Sequence, residues 1–354
     1  MTATIRIKSA DGGFMADTVL VSGGSGYIAG FLIRQLVTEG WMVHTTIRDL
    51  AREEAVRKLL AVDNARLRFF AANLTDDAGW AGAMAGCSHV AHVASPLPMG
   101  TVKDANEVIG PARDGALRAL RAARAAGVKR FVMTSSVAAV AYGNRSGKGL
   151  HSFTEADWTP PDFPGATPYV RSKAISERAA RDWVATEGGG IEYCSVNPSV
   201  VLGPVWSKDY SPSVMVLKTL LDGSLRACPD VGFGIVDVRD VADLHVRALR
   251  APNMAGERFI CSGPFLKMMA IADILRAKLG EEARKVTKRA MPDLLVRIAA
   301  LFSPMAQAAV GQLGSVRNMD ASHAKAVLGW VTRPAEQSIV DTARSLIDLG
   351  IVKP

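Results

Sequence analysis

The stretch VSGGSGYIAG, residues 21–30, decides the fold of this 354-residue chain. It follows a short apolar run and opens a segment with helical periodicity, so it predicts a strand, a tight turn and a helix in direct succession. Within it, Gly23, Gly26 and Ala29 are spaced three positions apart. The turn needs a residue that tolerates positive φ, and a pyrophosphate can approach the backbone closely only where no Cβ intervenes. Because a helix N-terminus also presents free N–H groups and a positive dipole end, the stretch predicts a dinucleotide-binding turn.

The rest of the N-terminal half repeats this alternation of strand and helix. Strands are predicted over 18–23, 42–49, 67–74, 89–95, 130–136 and 192–199, and helices over 27–40, 51–62, 105–127 and 169–186. This order is typical of a doubly wound α/β fold of the Rossmann type, in which a parallel sheet carries helices on both faces. Ligands bind in such sheets beyond the carboxyl ends of the strands, and the motifs described below fall at such ends.

From about residue 199 the pattern changes, because helical segments no longer alternate regularly with strands. Helices are predicted over 212–222, 239–250, 269–279, 291–301, 321–328 and 336–348. We therefore expect a dinucleotide-binding Rossmann domain over 17–198, with a return segment at about 235–250. A smaller, interleaved substrate-binding lobe follows over 199–354, and residues 1–16 are an N-terminal extension without a predicted role.

Composition excludes several classes of protein. Hydrophobic residues make up 49% of the chain, which is enough for a large core. No uncharged apolar stretch of about 18 residues predicts a membrane span, and residues 1–15 lack the apolar region of a secretory signal. The four cysteines stand far apart and the six histidines show no metal-binding spacing. We therefore expect free thiols, no metal and a cytoplasmic location.

The formal net charge of +8 raises the question of nucleic acid. Several arginines lie on the predicted helix 105–127, where they alternate with a continuous Ala/Leu stripe. This pattern favours a solvated helix face over a nucleic-acid-binding surface. The apolar stripe fits packing on the sheet or on a second subunit equally well, so we expect a monomer or a homodimer.

The second predicted strand ends in TIRD, residues 46–49. Dinucleotide-binding folds often carry an acidic residue at this point for the ribose hydroxyls. Here Arg48 comes first, and a guanidinium suits a 2′-phosphate through bidentate, charge-assisted hydrogen bonds. Asp49 could face solvent or pair with an arginine, and Arg52 could make a second contact. The segment favours NADPH over NADH.

A second constellation combines Tyr169 and Lys173 with the TSS sequence at 134–136. The tyrosine and the lysine are four residues apart on a predicted helix and so share a face. The pKa of a free tyrosine is about 10, and a nearby ammonium would lower it by stabilising the phenolate. A serine hydroxyl can hold a substrate oxygen beside the phenol. The group is suited to protonate an alkoxide that forms as hydride arrives.

Together these motifs resemble those of the extended short-chain dehydrogenase/reductases, over nearly the whole chain from about residue 17. The strings VSGGSGYIAG, TIRD, HVASP, TSSVAAV, FTEADW, PYVRSKAISE and NPSVVLGP resemble the branch of dihydroflavonol reductases, cinnamoyl-CoA reductases and microbial aldehyde and ketone reductases. The resemblance implies a carbonyl reductase that uses NADP(H), converts an aldehyde or ketone to an alcohol reversibly, and has a small carbonyl or alcohol substrate as its partner.

The resemblance also implies roles for individual residues. The catalytic residues would be Ser136, Tyr169 and Lys173, with Ser135 as the alternative serine. Cofactor contacts would come from Gly23, Gly26, Tyr27, Ile28, Arg48, Asn73, Leu74, Ala94, Tyr169, Lys173 and Pro198. The substrate pocket would be lined by Ser136, Ser199, Val200, Val201 and Trp206. For each apolar residue in that last set, a place in the core is an equally simple interpretation.

Two departures from the family pattern bear on the alternatives. Asn73 stands where relatives usually have an aspartate near the adenine, which affects affinity more than identity. Ala112 stands where sugar-nucleotide members have an asparagine, which weakens an epimerase or dehydratase function. That function and a hydroxysteroid-type dehydrogenase stay open on the same fold. A non-catalytic dinucleotide-sensing regulator is a further alternative, although such proteins often lose the tyrosine or the lysine.

Overall fold

The computed structural model describes residues 17–96, 104–143, 149–208, 210–302 and 304–353, so the N-terminal extension lies outside the described residues. The strands are β1 (Thr18–Val21), β2 (Met42–Ile47), β3 (Leu67–Ala71), β4 (His89–His92), β5 (Arg130–Thr134), β6 (Gly149–Phe153), β7 (Glu192–Pro198), β8 (Val200–Leu202), β9 (Gly232–Asp237), β10 (Arg258–Cys261), β11 (Phe265–Lys267) and β12 (Ser315–Met319). The helices of the first half are α1 (Tyr27–Thr38), α2 (Glu53–Leu60), α3 (Trp80–Met84), α4 (Asn106–Ala125) and α5 (Pro168–Glu187). Those of the second half are α6 (Met215–Leu221), α7 (Val238–Arg250), α8 (Met268–Leu279), α9 (Asp293–Ala299), α10 (Pro304–Val310), α11 (Ser322–Leu328) and α12 (Ala335–Asp348).

The central sheet of the described chain is parallel, with the strand order β10-β7-β5-β4-β1-β2-β3. Strand β1 pairs with both β2 and β4, so the order reverses there and a crevice opens beyond its carboxyl end. Side chains alternate along a strand, and accordingly Val19 and Val21 join the core on one face of the sheet while Leu20 joins the core on the other. The predicted doubly wound α/β fold is confirmed.

Helices cover both faces of this sheet. On one face, α1 and α7 bury Leu32, Leu36 and Leu249. On the other face, α4 and α5 bury Leu120 and Trp183. Removal of these large apolar side chains from water supplies much of the free energy that docks the helices on the sheet.

The Ala/Leu stripe of α4 is buried within the chain. Ala116, Ala119 and Ala123 belong to the core between the sheet and α5, and their small side chains let the two helices approach closely. Arg113 and Arg121 lie on the opposite, exposed side. The helix therefore has the solvated basic face that its pattern predicted, and its apolar stripe serves packing inside the subunit.

The return to the sheet differs from the prediction. The segment 235–250 contains the end of β9 and helix α7, but β9 pairs with β8 and β11 in a separate three-stranded sheet. Helix α7 packs back on the Rossmann core, and the strand that joins the central sheet is β10, beside β7. Strand β10 has only four residues, Arg258–Cys261, and so short a run carries too little periodicity to be recognised from sequence.

The second lobe has an apolar core of its own. Leu217 and Leu220 of α6, Ile271 and Leu275 of α8 and Ile339 of α12 are buried there. All four cysteines are buried and free, as predicted. Within the described ranges, no helix is long and apolar enough to span a membrane.

The entry into α3 gives a stability test of the fold. Gly79 caps this helix with a φ of +83°, and a Cβ at this position would lie 1.8 Å from the carbonyl oxygen of Ala71. Gly79→Ala should therefore lower the free energy of unfolding by about 2–4 kcal/mol, because an L-residue is strained at that φ and the backbone must move. Chemical denaturation followed by circular dichroism measures the loss.

The matched control is Gly82→Ala, three residues along in the same helix. Gly82 is exposed and a Cβ there meets nothing within 4 Å. Alanine raises helix propensity, so stability should stay equal or rise by up to about 1 kcal/mol. Equal stabilities for the two variants would contradict the described turn.

Candidate active site

The glycine turn after β1 lies between the ends of two neighbouring strands. Gly23 has a φ of +75°, and a Cβ there would lie 3.1 Å from the Cβ of Ala94, beyond β4. A Cβ on Gly24 would lie 2.2 Å from Oγ1 of Thr45 on β2. The Gly23 N–H donates to Oγ1 of Thr46 at 3.0 Å. The backbone is thus held where a side chain does not fit, which is the geometry that a closely bound pyrophosphate requires.

The N-terminus of α1 is open to a ligand. No side chain caps it, and the N–H groups of Tyr27, Ile28 and Ala29 precede the first helical hydrogen bond, which runs from Gly30 to the Gly26 carbonyl. By contrast, α5 and α7 are capped by the side chains of Thr167 and Asp237. Free N–H groups at a positive helix end bind anionic phosphate oxygens.

A hydroxyl that the sequence analysis missed holds the neighbouring loop. Ser22 is fully buried, and its Oγ accepts the N–H groups of Val93 and Ala94, each at 3.0 Å. The same oxygen lies 3.1 Å from Nδ1 of His92. Burial and the charge of Lys173 lower the pKa of His92 to about 3, so this imidazole is neutral and can accept the serine proton. This network places Ala94 against Gly23, where it was predicted to face the cofactor.

Arg48 and Asp49 differ in whether their side chains are hydrogen-bonded within the described ranges. Arg48 is exposed at the end of β2 and makes no hydrogen bond or ion pair within the described ranges. The Asp49 carboxylate accepts the N–H of Ala51 at 2.9 Å and so caps the 3-10 turn at Leu50–Arg52. The acidic group is committed locally, while the guanidinium beside the glycine turn is available to an anion.

The end of β3 contributes the two remaining residues predicted near the adenine. Asn73 is exposed, and its Oδ1 accepts the N–H of Thr75 at 3.4 Å. Leu74 is partly buried, and its side chain packs so closely on Gly115 of α4 that a Cβ there would lie 2.8 Å from the Leu74 Cβ. Leu74 therefore packs on α4 beside the end of β3, and contacts of Asn73 and Leu74 with a cofactor stay a prediction.

The two adjacent serines after β5 have different partners. Ser135 donates to Oε2 of Glu177 at 2.5 Å, whereas Ser136 caps the following turn by accepting the Ala138 N–H at 3.1 Å. The Ser136 hydroxyl also hydrogen-bonds the phenol of Tyr169. Since the glutamate occupies Ser135, the geometry favours Ser136 as the serine that can reach a substrate.

Tyr169 and Lys173 share a face of α5, but their electrostatics differ from expectation. Burial raises the pKa of Tyr169, the hydrogen bond from Ser136 acts in the opposite direction, and Tyr142 adds to the rise. Lys173 Nζ lies 6.0 Å from the centre of the Tyr169 ring and 3.5 Å from the carbonyl oxygen of Thr134. The cation is near the phenol, and the contact that lowers the pKa of the phenol is the one with Ser136.

Lys173 itself is buried, with 5% of its surface exposed. Burial lowers the pKa of Lys173 to about 8, while the negative charge of Glu177 acts in the opposite direction. Its side chain therefore stays mostly protonated at neutral pH but loses its proton under mildly alkaline conditions. The signal for Glu177 was present in the sequence, because it follows Lys173 by four residues, as Lys173 follows Tyr169.

The predicted pocket residues fall into two groups. Pro198 is buried at the end of β7, and its carbonyl oxygen lies 3.5 Å from the Ser136 hydroxyl. Next to it, Ser199 has a buried hydroxyl without a partner among the described residues. Val201, in contrast, belongs to the main core, and Val200 packs on the core of the second lobe. The two valines thus serve packing, and a place for Ser199 in the substrate pocket stays a prediction.

Trp206 packs on helix α1. Its ring lies on Phe31 with centroids 3.9 Å apart, and the guanidinium of Arg34 lies 4.6 Å from the ring centre. A Cβ on Gly30 would lie 3.1 Å from the indole. These contacts serve packing, and a place for Trp206 in the substrate pocket stays a prediction.

Comparisons with known proteins agree with this arrangement. Residues 19–261 match the family described as the NAD dependent epimerase/dehydratase family. Dihydroflavonol 4-reductase of Gerbera hybrida is 32% identical over 273 residues, which are 75% of this chain and 73% of that protein. Cinnamoyl-CoA reductase of Medicago truncatula is 34% identical over 247 residues, 68% of this chain and 75% of that protein. The solved structure of yeast methylglyoxal/isovaleraldehyde reductase complexed with NADPH superposes with a TM-score of 0.75 at 25% identity, covering 95% of this chain and all of that one.

The Ser22 network can be tested by removing one oxygen. Ser22→Ala leaves the buried N–H groups of Val93 and Ala94 without an acceptor, so the free energy of unfolding should fall by about 2 kcal/mol. Dinucleotide binding should weaken as well, because the loop beside Gly23 loses its anchor. Denaturant titration and fluorescence titration with NADPH measure the two effects.

Ser88→Ala is the matched control at the other end of β4. The Ser88 hydroxyl lies 2.8 Å from Nδ1 of the partly exposed His89 and 3.3 Å from the Thr18 carbonyl, which also accepts the Ser88 N–H at 3.0 Å. Loss of this hydroxyl should cost less than about 1 kcal/mol and leave dinucleotide binding unchanged. If both variants behaved alike, Ser22 would have no special role at the crevice.

Proposed function

The chain belongs to the NAD dependent epimerase/dehydratase family and is an NADP-dependent oxidoreductase, and we propose that it reduces an aldehyde or ketone to an alcohol, reversibly, through Ser136, Tyr169 and Lys173. One observation carries the proposal: Ser136 and the ammonium of Lys173, which is 3.5 Å from the Thr134 carbonyl, lie at the end of β5, on the sheet edge where the glycine turn follows β1. Tyr169 precedes Lys173 by one turn of α5. A proton donor and a dinucleotide-binding turn at one edge are what carbonyl reduction requires.

The chain's residues fit an NADP(H) molecule at this edge. The uncapped N–H groups of Tyr27 and Ile28 and the close-packed Gly23 and Gly26 would hold its diphosphate. The unpaired guanidinium of Arg48 would hold its 2′-phosphate. Asn73 and Leu74 would border its adenine, and Ala94, Pro198, Tyr169 and Lys173 its nicotinamide half. When bound, the reduced nicotinamide supplies a hydride to the carbonyl carbon of the substrate.

The protein's part in the reaction is to hold and protonate the substrate oxygen. The Ser136 hydroxyl donates a hydrogen bond to that oxygen, and Tyr169 transfers its phenolic proton to it as negative charge develops there. Burial raises the pKa of Tyr169, so the phenol carries its proton at neutral pH and is ready to act as an acid. The phenolate left behind would be stabilised by the ammonium of Lys173, 6.0 Å from the ring centre.

The substrate is proposed to be an uncharged and fairly apolar carbonyl compound. The names of a dihydroflavonol reductase relative and of the yeast isovaleraldehyde reductase support this, whereas the name of the cinnamoyl-CoA reductase relative points to a substrate with the charged phosphates of coenzyme A. The family's name also includes epimerases and dehydratases, which keep NAD tightly bound and need no added reductant. A panel of aldehydes and ketones, assayed with NADPH and NADH side by side, tests the proposal. Carbonyl-dependent oxidation of NADPH is the expected result, whereas turnover of a sugar nucleotide without added reductant would favour an epimerase.

The proton donor can be tested with Tyr169→Phe. The substitution removes the phenolic proton and little volume, so kcat should fall by roughly 10²–10⁴-fold while the Kd for NADPH stays unchanged. Stopped-flow or steady-state assays and fluorescence titration measure the two quantities.

Tyr193→Phe is the control for loss of a buried phenol. The Tyr193 hydroxyl contacts Sδ of Met133 in the core beneath the sheet, and its ring stacks near Phe131. We expect normal turnover from this variant. Undiminished turnover of Tyr169→Phe would remove Tyr169 from the proton-donor role.

The cofactor preference can be tested with Arg48→Ala. Loss of a charge-assisted contact to the 2′-phosphate should raise the KM for NADPH roughly tenfold or more and change the KM for NADH by less than about twofold. Arg68→Ala, an exposed arginine on the neighbouring strand β3, should change neither value. Equal effects of Arg48→Ala on both dinucleotides would place the 2′-phosphate elsewhere.

A further inference from the structure

Glu177 is a buried charge on the same face of α5 as the proposed catalytic pair. It follows Lys173 by one helical turn and Tyr169 by two, and its side chain is fully buried. An ionised carboxylate persists in such a place only when every lone pair finds a strong partner. Burial opposes ionisation of Glu177, but Arg258 and the hydrogen bonds from Ser135 and Ser195 outweigh it and hold the pKa of this carboxyl below its ordinary value.

The carboxylate links residues of three neighbouring strands, β5, β7 and β10. Oε2 accepts from the hydroxyl of Ser135, after β5, at 2.5 Å and from the amide of Asn197, on β7, at 2.7 Å. Oε1 accepts from Nε of Arg258, on β10, at 2.6 Å and from the hydroxyl of Ser195, on β7, at 2.8 Å. All four partners are themselves buried. Two acceptor oxygens with two donors each leave the carboxylate almost no freedom to move.

This carboxylate reaches Ser136 from two sides. The Asn197 amide nitrogen that donates to Glu177 also donates to the Ser136 carbonyl oxygen at 3.2 Å. Ser135, the adjoining residue, is tied to the same Oε2. The backbone on either side of the Ser136 side chain is therefore fixed relative to α5, the helix that carries Tyr169.

We propose, resting on the carbonyl-reductase function above, that Glu177 is a positioning residue of the reaction: its carboxylate sets Ser136 at the distance from Tyr169 at which both can hold the substrate oxygen. The alternative is that Glu177 only neutralises Arg258. The arginine has other partners, since its Nη1 donates to the carbonyl oxygens of Glu155 and Asp157 at 2.6 and 2.8 Å and its guanidinium stacks on Trp158 at 3.6 Å. The hydrogen bonds from Ser135 and Asn197 to Glu177 are not needed to neutralise Arg258, so charge neutralisation alone does not account for them.

The charge of Glu177 also acts on Lys173. The groups that face this ammonium are Tyr169 and Glu177 on its own helix, the carbonyl of Thr134 on β5 and the neutral His92 on β4. Burial lowers the pKa of Lys173 to about 8 and Glu177 raises it against that trend. Without the negative charge the pKa of Lys173 falls further. The ammonium is then lost at lower pH, and the alkaline limb of the kcat–pH profile should move to lower pH.

The experiment is Glu177→Gln, assayed with NADPH and the best carbonyl substrate of the panel. A side chain of equal size replaces a charged acceptor with an amide, so Ser136 should lose its fixed position. We expect kcat to fall by roughly 10–100-fold with the Kd for NADPH unchanged, and the alkaline limb of the kcat–pH profile to move to lower pH. Glu192→Gln is the matched control, because Glu192 pairs with the buried Arg130 at the opposite ends of β5 and β7. It should leave kcat and the pH profile unchanged.

A double-variant cycle separates positioning from a structural role. If Glu177 acts through Ser136, then Glu177→Gln in a Ser136→Ala background should lower kcat by no more than about twofold beyond Ser136→Ala alone. An undiminished effect in that background, or wild-type kcat in Glu177→Gln, would overturn the proposal. Should Glu177→Gln fail to fold, judged by circular dichroism and thermal melting, Asn197→Ala cuts the link to the Ser136 carbonyl and keeps the ion pair. Asn197→Ala is then combined with Ser136→Ala in the same way, and the same results support or overturn the proposal.

Failure of the proposed function is visible independently. A wild-type protein that binds NADPH but reduces no carbonyl compound would overturn the reductase function itself. An active wild type whose Glu177→Gln variant keeps normal kcat would overturn only the role of Glu177.

Discussion

The close approach of backbone to backbone at the end of β1 is the constraint on which the site depends. Strand β1 is flanked by β2 and β4, and its carboxyl end opens into a turn where a Cβ on Gly23 would press on Ala94 and one on Gly24 would overlap Thr45. The turn has room for glycine backbone and for an anion bound against it, but not for side chains. With the helix end of α1 left uncapped, the hydrogen-bonding groups of this turn point outward and are not consumed within the protein. An NADP-dependent oxidoreductase needs its cofactor fixed before anything else can be aligned with it.

Helix α5 carries Tyr169, Lys173 and Glu177 one turn apart on a single face, and the three side chains differ in charge. Tyr169 is a neutral acid whose pKa is raised, Lys173 is a cation whose pKa is lowered, and Glu177 is an anion held ionised. Burial disfavours charge at all three positions, and each responds according to the partners within its reach. For Tyr169 burial dominates and the phenol stays neutral, whereas Glu177 bonds a guanidinium and stays charged. The face thereby runs from a neutral phenol to an ionised carboxylate deep in the core.

At the end of β2, the side chain of Asp49 is hydrogen-bonded to the backbone, whereas that of Arg48 has no partner within the described ranges. The Asp49 carboxylate accepts the Ala51 N–H of a local turn. The negative group that would repel a 2′-phosphate is therefore partly satisfied by the backbone. Arg48, one residue earlier, keeps its donors free for a ligand. In the loop after β4, the Val93 and Ala94 N–H groups are likewise hydrogen-bonded within the protein, because they donate to Ser22 Oγ, which lies beside the neutral His92. The apolar side chain of Ala94 is left facing Gly23.

The sequence by itself determined what depends on local order. Hydrophobic periodicity located the main strands and helices, and the spacing of Gly23 and Gly26 and of Tyr169 and Lys173 identified the two halves of the site, because turn geometry and helix faces are set by neighbours a few residues away. Tertiary structure alone decided the rest. It brought Glu177 to Ser135 and not to Ser136, packed Trp206 on α1, and put the short strand β10 beside β7. It also assigned the pKa-lowering contact of Tyr169 to Ser136. These outcomes depend on burial and on partners distant in sequence, and desolvation acts only once the chain has folded around the group.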